Sequence, residues 1–373
     1  MITSTNPSRI DEMDSVVRFF TEDVAKFTRE LAALEQEIDP NAVPQLNDAF
    51  HQRTLKAFEE SQVACREFEL AHRESPEVVT EVQRRFREET NRWFSMSWIG
   101  NRARTKPNGF VGDFDMLVKL YDEATPARGL GGYLDLCILD LPLARAVRTR
   151  LADARRFLLK EISTRNSDVR ILDVASGPCR EYRNWPASPG IDVEIVAMDT
   201  DPNALDFVQS EVCPQMPKGT ALRPVRYNAF RTASAEATIR QFGKFDMMYS
   251  VGLCDYLTDD NLIRLFDGWW HTLNENGVMY IAFKDCEQYD HTPYQWHLDW
   301  FFYQRTREDM DKLFAAAGLN VDAMEISRDG TGIIINFVTR QASGIHRRVD
   351  EAETVTPNVT TVAPRAPASK QEH

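Results

Sequence analysis

Two aspartates, each closing an apolar run, offer the clearest chemistry in this sequence. In VRILDVASGPCRE the run ends at Asp173 and enters the small-residue turn Ala175-Ser176-Gly177-Pro178; in VEIVAMD a second run ends at Asp199, followed by Thr200. A turn of small residues at a strand end lets a large ligand approach the backbone. An acid ending the next strand can accept both hydroxyls of a ribose. The spacing predicts a crevice for a nucleoside-like cofactor formed by Asp173, Ala175, Ser176, Gly177, Pro178, Asp199 and Thr200. The turn does not match GxGxxG and carries no GKS or GKT, so dinucleotide and triphosphate binding are poorly supported and an NAD-dependent oxidoreductase is the weaker reading. Asp201, just before Pro202, fits a helix cap better than a ligand contact.

Further along, Asn228 closes a third run, with Ala229 and Phe230 beside it. A plain turn asparagine fits that position. In FDMMYSVGLCDYL, Ser250 and Gly252 extend the expected cofactor wall, while Asp255 and Tyr256 fall past a strand's C-terminal end, where open α/β sheets bind ligands. The aromatic stretch KDCEQYDHTPYQWHLDWFFYQRT adds His291 and Trp296. Asp255, Tyr256 and His291 are the candidates for proton removal. Asp113, Tyr133, Arg148 and Trp296 are the candidates for substrate contact, with Arg148 or Arg150 suited to a carboxylate. Packing of a helix on the sheet is the better account of most of Trp296, Leu298, Trp300 and Phe301, and a satisfied or exposed imidazole is a better account of His291 and His297 than a catalytic base. His291 and His297 are not spaced as HExxH, and no metal site is expected.

Elements that would position these residues can be read from periodicity. Val17, Phe20, Val24, Phe27, Leu31, Leu34 and Ile38 form one helical stripe, broken near Asp39-Pro40, and helical patterns continue through Phe58 to Phe68 and Val78 to Phe94. Residues 1–105 thus read as a helical region without strands, either a cap or a dimerisation surface. A long helix starting at Pro142 precedes the alternating part. There VRILDVA, VEIVAMD, LRPVRYN, FDMMYSV and GVMYIAF are strand-like, with helical runs between several of them, and NVDAMEIS with GIIINFVTR forms a closing hairpin. This is an α/β fold with a mostly parallel seven-stranded, Rossmann-like sheet over 106–340. Residues 341–373, rich in Pro, Thr and Ala, read as a disordered tail.

Composition bounds the partners. In 373 residues the formal charge is −13, which repels polyphosphate and makes nucleic acid an unsuitable partner; a small molecule fits better. Six cysteines without a CxxC pair read as reduced thiols, no run is apolar enough to span a bilayer, and the start turns acidic before any apolar stretch. A cytoplasmic protein is expected.

The pattern of Asp173, the small-residue turn and Asp199 resembles class I S-adenosylmethionine-dependent methyltransferases, in which a side chain at a position such as that of Asn228 meets the adenine ring. Within them, the block Lys106-Pro107-Asn108-Gly109-Phe110-Val111-Gly112-Asp113-Phe114 is similar to a signature of bacterial 3-hydroxypalmitic acid methyl ester synthases and their relatives. Leu139 to Pro142, Ala146 to Arg150, Ser176 to Pro178 and Tyr249 to Leu257 resemble further blocks of that group. The chain departs from it at Ser176 and Cys254. The resemblance spans about Lys106 to Arg340. It implies S-adenosylmethionine as cofactor and methyl transfer to a small molecule, with the carboxylate of a hydroxy fatty acid slightly ahead of a small amine. A cofactor-binding module without turnover is the competing reading.

Overall fold

The computed structural model describes residues 7–341. The stretch expected as a tail lies, apart from Gln341, outside the described residues. Helices open the chain: α1 (Pro7–Arg18), α2 (Ala25–Glu37), α3 (Ala49–Ala71), α4 (Pro76–Phe94) and α5 (Trp98–Thr105). A π-helical turn, Phe19–Val24, joins α1 to α2. Its wider winding shifts the stripe, so Phe19 and Phe20 are both buried while Val17 is exposed. Phe27, Leu31, Leu34 and Ile38 then follow the expected inward face. Asp48 and Ser97 start α3 and α5 by accepting the amides of His51 and Gly100.

Three more helices lead to the sheet: α6 (Phe114–Tyr121), α7 (Gly129–Asp140) and α8 (Pro142–Ser163), the last with proline in its first turn as its sequence predicts. The strands are β1 (Val169–Val174), β2 (Val193–Asp199), β3 (Thr220–Arg226), β4 (Phe245–Ser250), β5 (Leu273–Lys284), β6 (Glu325–Arg328) and β7 (Ile334–Arg340). They lie in the order β3-β2-β1-β4-β5-β7-β6, with α9 (Pro202–Phe207) after β2 and α10 (Ala235–Phe242) after β3. The first five are parallel, and β7 runs antiparallel to both β5 and β6. This order and sense are those of the class I methyltransferase-like, Rossmann-like fold, as the alternation of elements predicts. One boundary differs. Strand β5 begins at Leu273, directly after α11 (Asp259–Thr272), with a register jump before Val278, rather than after Gly277.

Two apolar cores flank the sheet because successive strand residues face opposite sides. Leu172, Val196, Met248 and Phe283 pack with Phe266, Trp269 and Phe314 of α11 and α12 (Arg307–Ala316). Ile171, Ile195, Met247 and Tyr280 face the other way. That second core runs without interruption into the N-terminal helices, through Trp296, Phe86, Phe58 and Leu31. The helical region therefore shares one core with the sheet, and apart from Val17 its apolar stripe is buried within the chain. All six cysteines are free thiols, and among the described residues no helix is long and apolar enough to cross a membrane.

Candidate functional site

A cavity of about 590 Å³ lies over the C-terminal ends of the central strands, where the strand order reverses between β1 and β4. Ala175, Gly177, Asp199, Thr200, Asp201, Phe230 and Gly252 line one end. The other end is an apolar lobe walled by Leu120, Ile138, Leu143 and Val147 from α6 to α8, and by Tyr256, Tyr294, Trp300 and Phe302. Lys284 and Arg150 also line the cavity, as do Lys106, Asp113 and Asp299.

The polar end is built by a sharply bent turn. Ala175, Gly177 and Cys179 all take left-handed backbone, at φ of 58°, 53° and 49°. For Ala175 that conformation costs on the order of 1 kcal/mol, which the surrounding hydrogen bonds sustain. The Ser176 amide donates to the Met198 carbonyl at 3.0 Å, and the Gly177 amide donates to Asp199 Oδ2 at 2.8 Å. Asp201 donates its amide to Asp199 Oδ1 at 2.9 Å. Burial raises the pKa of Asp199, while these amides act in the opposite direction. Three buried polar atoms around this end have no protein partner: Arg150 Nε, Ser176 Oγ and Asp201 Oδ2.

Other residues expected on this wall hold it from behind. Asp173 is buried beneath the turn, with the Cys179 thiol at 3.8 Å from its carboxylate. Burial, with Glu181 beside it, raises its pKa well above the ordinary aspartate value. The Tyr249 hydroxyl donates to Glu181 Oε1 at 2.6 Å in the same buried network. Pro178 is buried and lies off the cavity wall, as do Ser176 and Ala229. Ser250 donates to the Val174 carbonyl at 3.0 Å, tying β4 to β1. Asn228 is exposed, and its side chain accepts the Phe230 amide at 2.9 Å. It forms the turn, and the neighbouring Phe230 ring meets the cavity.

The expected catalytic group is also rearranged. Asp255 is buried, accepts the Lys284 amide at 3.1 Å and pairs with the Lys284 ammonium. Asp255 lies off the cavity wall, and Lys284 lines it instead. Tyr256 does line the cavity, its oxygen accepting from Trp300 Nε1 at 2.8 Å. Burial raises its phenol pKa. His291 lies elsewhere, with Nε2 at 2.7 Å from Glu69 Oε1 of α3. Trp296 donates to the other oxygen of Glu69 at 2.7 Å and packs against Phe19, Phe68 and Phe86. Both clamp the helical region to the sheet domain, and neither lines the cavity.

Of the remaining residues expected at the substrate, Asp113 lines the cavity. It caps α6 through the Met116 amide at 3.0 Å and accepts from Arg102 Nε at 2.8 Å. Tyr133 is buried among the helices, bonded to Asp48, and lies off the cavity wall. Arg148 donates to the Leu139 carbonyl and pairs with Glu123 at 3.1 Å, while Arg150, on the inner face of α8, is buried against the cavity. The roof joins two loops: Lys106 pairs with Asp299 at 2.5 Å, and Gly112 lies so close to Trp300 that a Cβ would sit 2.5 Å from Cζ2. Sequence reasoning missed Lys284. Its signal was a lone cation at the end of the apolar run GVMYIAFK, on a strand expected next to the site.

No protein-family model and no curated protein matches this sequence. Among solved structures, the chain is similar in fold to a possible exported protein from Bordetella parapertussis. That comparison covers 91% of this chain and 100% of that one at 16% identity and a TM-score of 0.52. Looser likenesses over about half the chain include the magnesium protoporphyrin IX methyltransferase ChlM from Synechocystis PCC 6803 with bound SAM, at 10% identity, covering 53% of this chain and 83% of that one, TM-score 0.37. The N-methyltransferase NodS from Bradyrhizobium japonicum WM9 is another, at 12% identity, covering 52% and 97%, TM-score 0.33.

Proposed function

We propose that this protein is an S-adenosylmethionine-dependent methyltransferase acting on a small molecule. The observation that carries the reading is the Asp199 carboxylate at the cavity wall, locked by the Gly177 and Asp201 amides at the strand-order reversal. Asp199 is oriented to accept ribose hydroxyls, and the Phe230 ring is available to an adenine face. Arg150, with an unpartnered buried Nε, suits the carboxylate of the methionine part. Gly177 and Gly252 keep the backbone open beside these groups. S-adenosylmethionine bound there would supply an electrophilic methyl group, leaving the protein chiefly to align the acceptor and exclude water.

The acceptor lobe supports a compound with an apolar body. Together with the resemblance of the Lys106 to Phe114 block, it favours carboxyl O-methylation of a hydroxy fatty acid or related metabolite over N-methylation. A carboxylate needs no base. With Asp255 engaged by Lys284 and His291 remote, Tyr256 is the one expected proton acceptor that faces the cavity. Residues 1–105 act in this reading as a cap for the catalytic region 106–340. Dimerisation through the N-terminal helices is weakened by the burial of their stripe, and six free thiols agree with a reducing, cytoplasmic setting.

Calorimetric titration with S-adenosylmethionine tests the cofactor, with micromolar or tighter binding expected. Isotopically methyl-labelled cofactor incubated with a metabolite extract then identifies the product. Absence of cofactor binding would overturn the proposal. Binding without any labelled product would favour a regulatory module.

A further inference from the structure

We infer that Lys284 is the acceptor-binding residue of this cavity and that the acceptor presents an anionic oxygen on an apolar body. The inference rests on the methyltransferase reading and adds the group that selects the acceptor by charge.

Strand position assigns Lys284 to the acceptor side. The polar end of the cavity is made by β1, β2 and the turn after β4, whereas Lys284 closes β5, the next strand outward from β4. Around it stand aromatic rings rather than nucleoside-binding groups. Its ammonium lies 4.2 Å from the Phe302 ring centroid and 5.5 Å from that of Tyr256. Arg150 approaches Gly252, on the β4 side, where a Cβ would lie 3.4 Å from its Nη2. Lys284 and Arg150 thus both line the cavity, and Lys106, which also lines it, is paired with Asp299.

The acids on the cavity wall hold partners, apart from Asp201 Oδ2 at the polar end. Asp113 accepts from Arg102 and Asn108, Asp199 accepts two backbone amides, Asp201 caps α9 (Pro202–Phe207), and Asp299 pairs with Lys106 and Arg87. Among the described residues, Asp255 is the carboxylate that pairs with Lys284. Burial works against the Lys284 ammonium, Asp255 works for it, and the nearby Arg150 adds repulsion. A cation in such a place is stabilised by a further anion, while a cationic head group beside it would be repelled. Hydrogen bonds to an ionised oxygen are about twice as strong as neutral ones, which turns the charge into specificity. Asp255 is a positioning residue: its oxygens take the Lys284 amide and ammonium together and fix where that ammonium points.

The test uses the full chain and three probes with one apolar body: decanoate, decanol and decylammonium. Binding is measured by calorimetry with and without S-adenosylhomocysteine. Wild-type protein is expected to bind decanoate at least roughly tenfold tighter than decanol, with decylammonium weakest. Lys284→Met is expected to erase the preference for decanoate while S-adenosylhomocysteine affinity stays within about twofold. Lys284→Arg is expected to restore the preference in part. Equal binding of decanoate and decanol by wild-type protein overturns the inference without any variant, and so does a Lys284→Met protein that keeps the preference. A purely structural ion pair would change stability and leave charge selectivity alone. Wild-type protein that discriminates decanoate from decanol yet ignores S-adenosylhomocysteine supports Lys284 as an anion site and overturns the methyltransferase reading.

Discussion

The Gly177 amide donates to Asp199 Oδ2 at 2.8 Å, so the turn after β1 and the end of β2 are joined through one carboxylate. Asp199→Ala removes that acceptor and any bond from a ligand hydroxyl. Each charge-assisted bond lost costs about 1.5–3 kcal/mol, so S-adenosylhomocysteine affinity should fall by roughly ten- to a hundredfold. Asp199→Asn, which keeps one oxygen, should lose less. Since burial raises the pKa of Asp199, wild-type affinity should fall on acidification above the ordinary aspartate range, and the Asn variant should show no such fall. Calorimetry across pH checks both expectations.

Gly112→Ala should loosen the roof of the cavity. The position has φ 69°, and a Cβ would meet Trp300 at 2.5 Å. Backbone strain and the clash together are expected to cost about 1–3 kcal/mol locally. Tryptophan fluorescence should report a wetter Trp300, and decanoate should bind more weakly, while Asp199 and its ligand bonds are untouched.

The Glu69 clamp predicts a pH dependence of stability. The Glu69 bond raises the His291 pKa above 6.5, against burial. For Glu69 burial acts upward, but the bonds from His291 and Trp296 outweigh it and hold the pKa below 4.5. The His291 contribution is complete below pH 6.5 and is lost as pH rises through the raised value; the Glu69 contribution is complete above pH 4.5 and is lost as pH falls through the lowered one. Both are present between these limits. His291→Gln should therefore destabilise the protein more at about pH 6 than at about pH 9, by about 1 kcal/mol or less, because the pair is partly exposed. Thermal melts at the two pH values measure the difference.

Trp296→Ala should be severe for folding and mild for ligand binding. The side chain is fully buried, and its loss leaves Phe19, Phe68 and Phe86 facing a void and Glu69 without one of its donors. The expected cost is about 3–5 kcal/mol in denaturant unfolding. At low temperature, S-adenosylhomocysteine affinity should remain close to wild type. Deleting residues 1–105 should go further and yield aggregating protein, since it uncovers the shared core; a soluble, folded 106–340 fragment by circular dichroism would contradict this.

Local patterning made most of the fold legible. The period-two strands, the proline-initiated α8 and the order of elements lead to the observed sheet because each is set by neighbours in sequence. At the site, Asp199 and Gly177 were readable for the same reason: a strand end and its turn are consecutive residues. What the sequence left open depended on residues far apart in the chain. Asp255 reads as an acid free to act until Lys284, brought alongside by the pairing of β4 with β5, claims its carboxylate. His291 and Trp296 read as site residues until Glu69 of α3 engages both. Arg148 and Arg150 are alike as types, and only the packing of α8 decides that Arg150 faces the cavity and Arg148 faces Glu123. The sequence by itself determined the strand-end turn proposed for a nucleoside, since strand-end geometry is local; the tertiary structure alone decided which charges line the cavity, since a buried charge is assigned by the distant partner that packs against it.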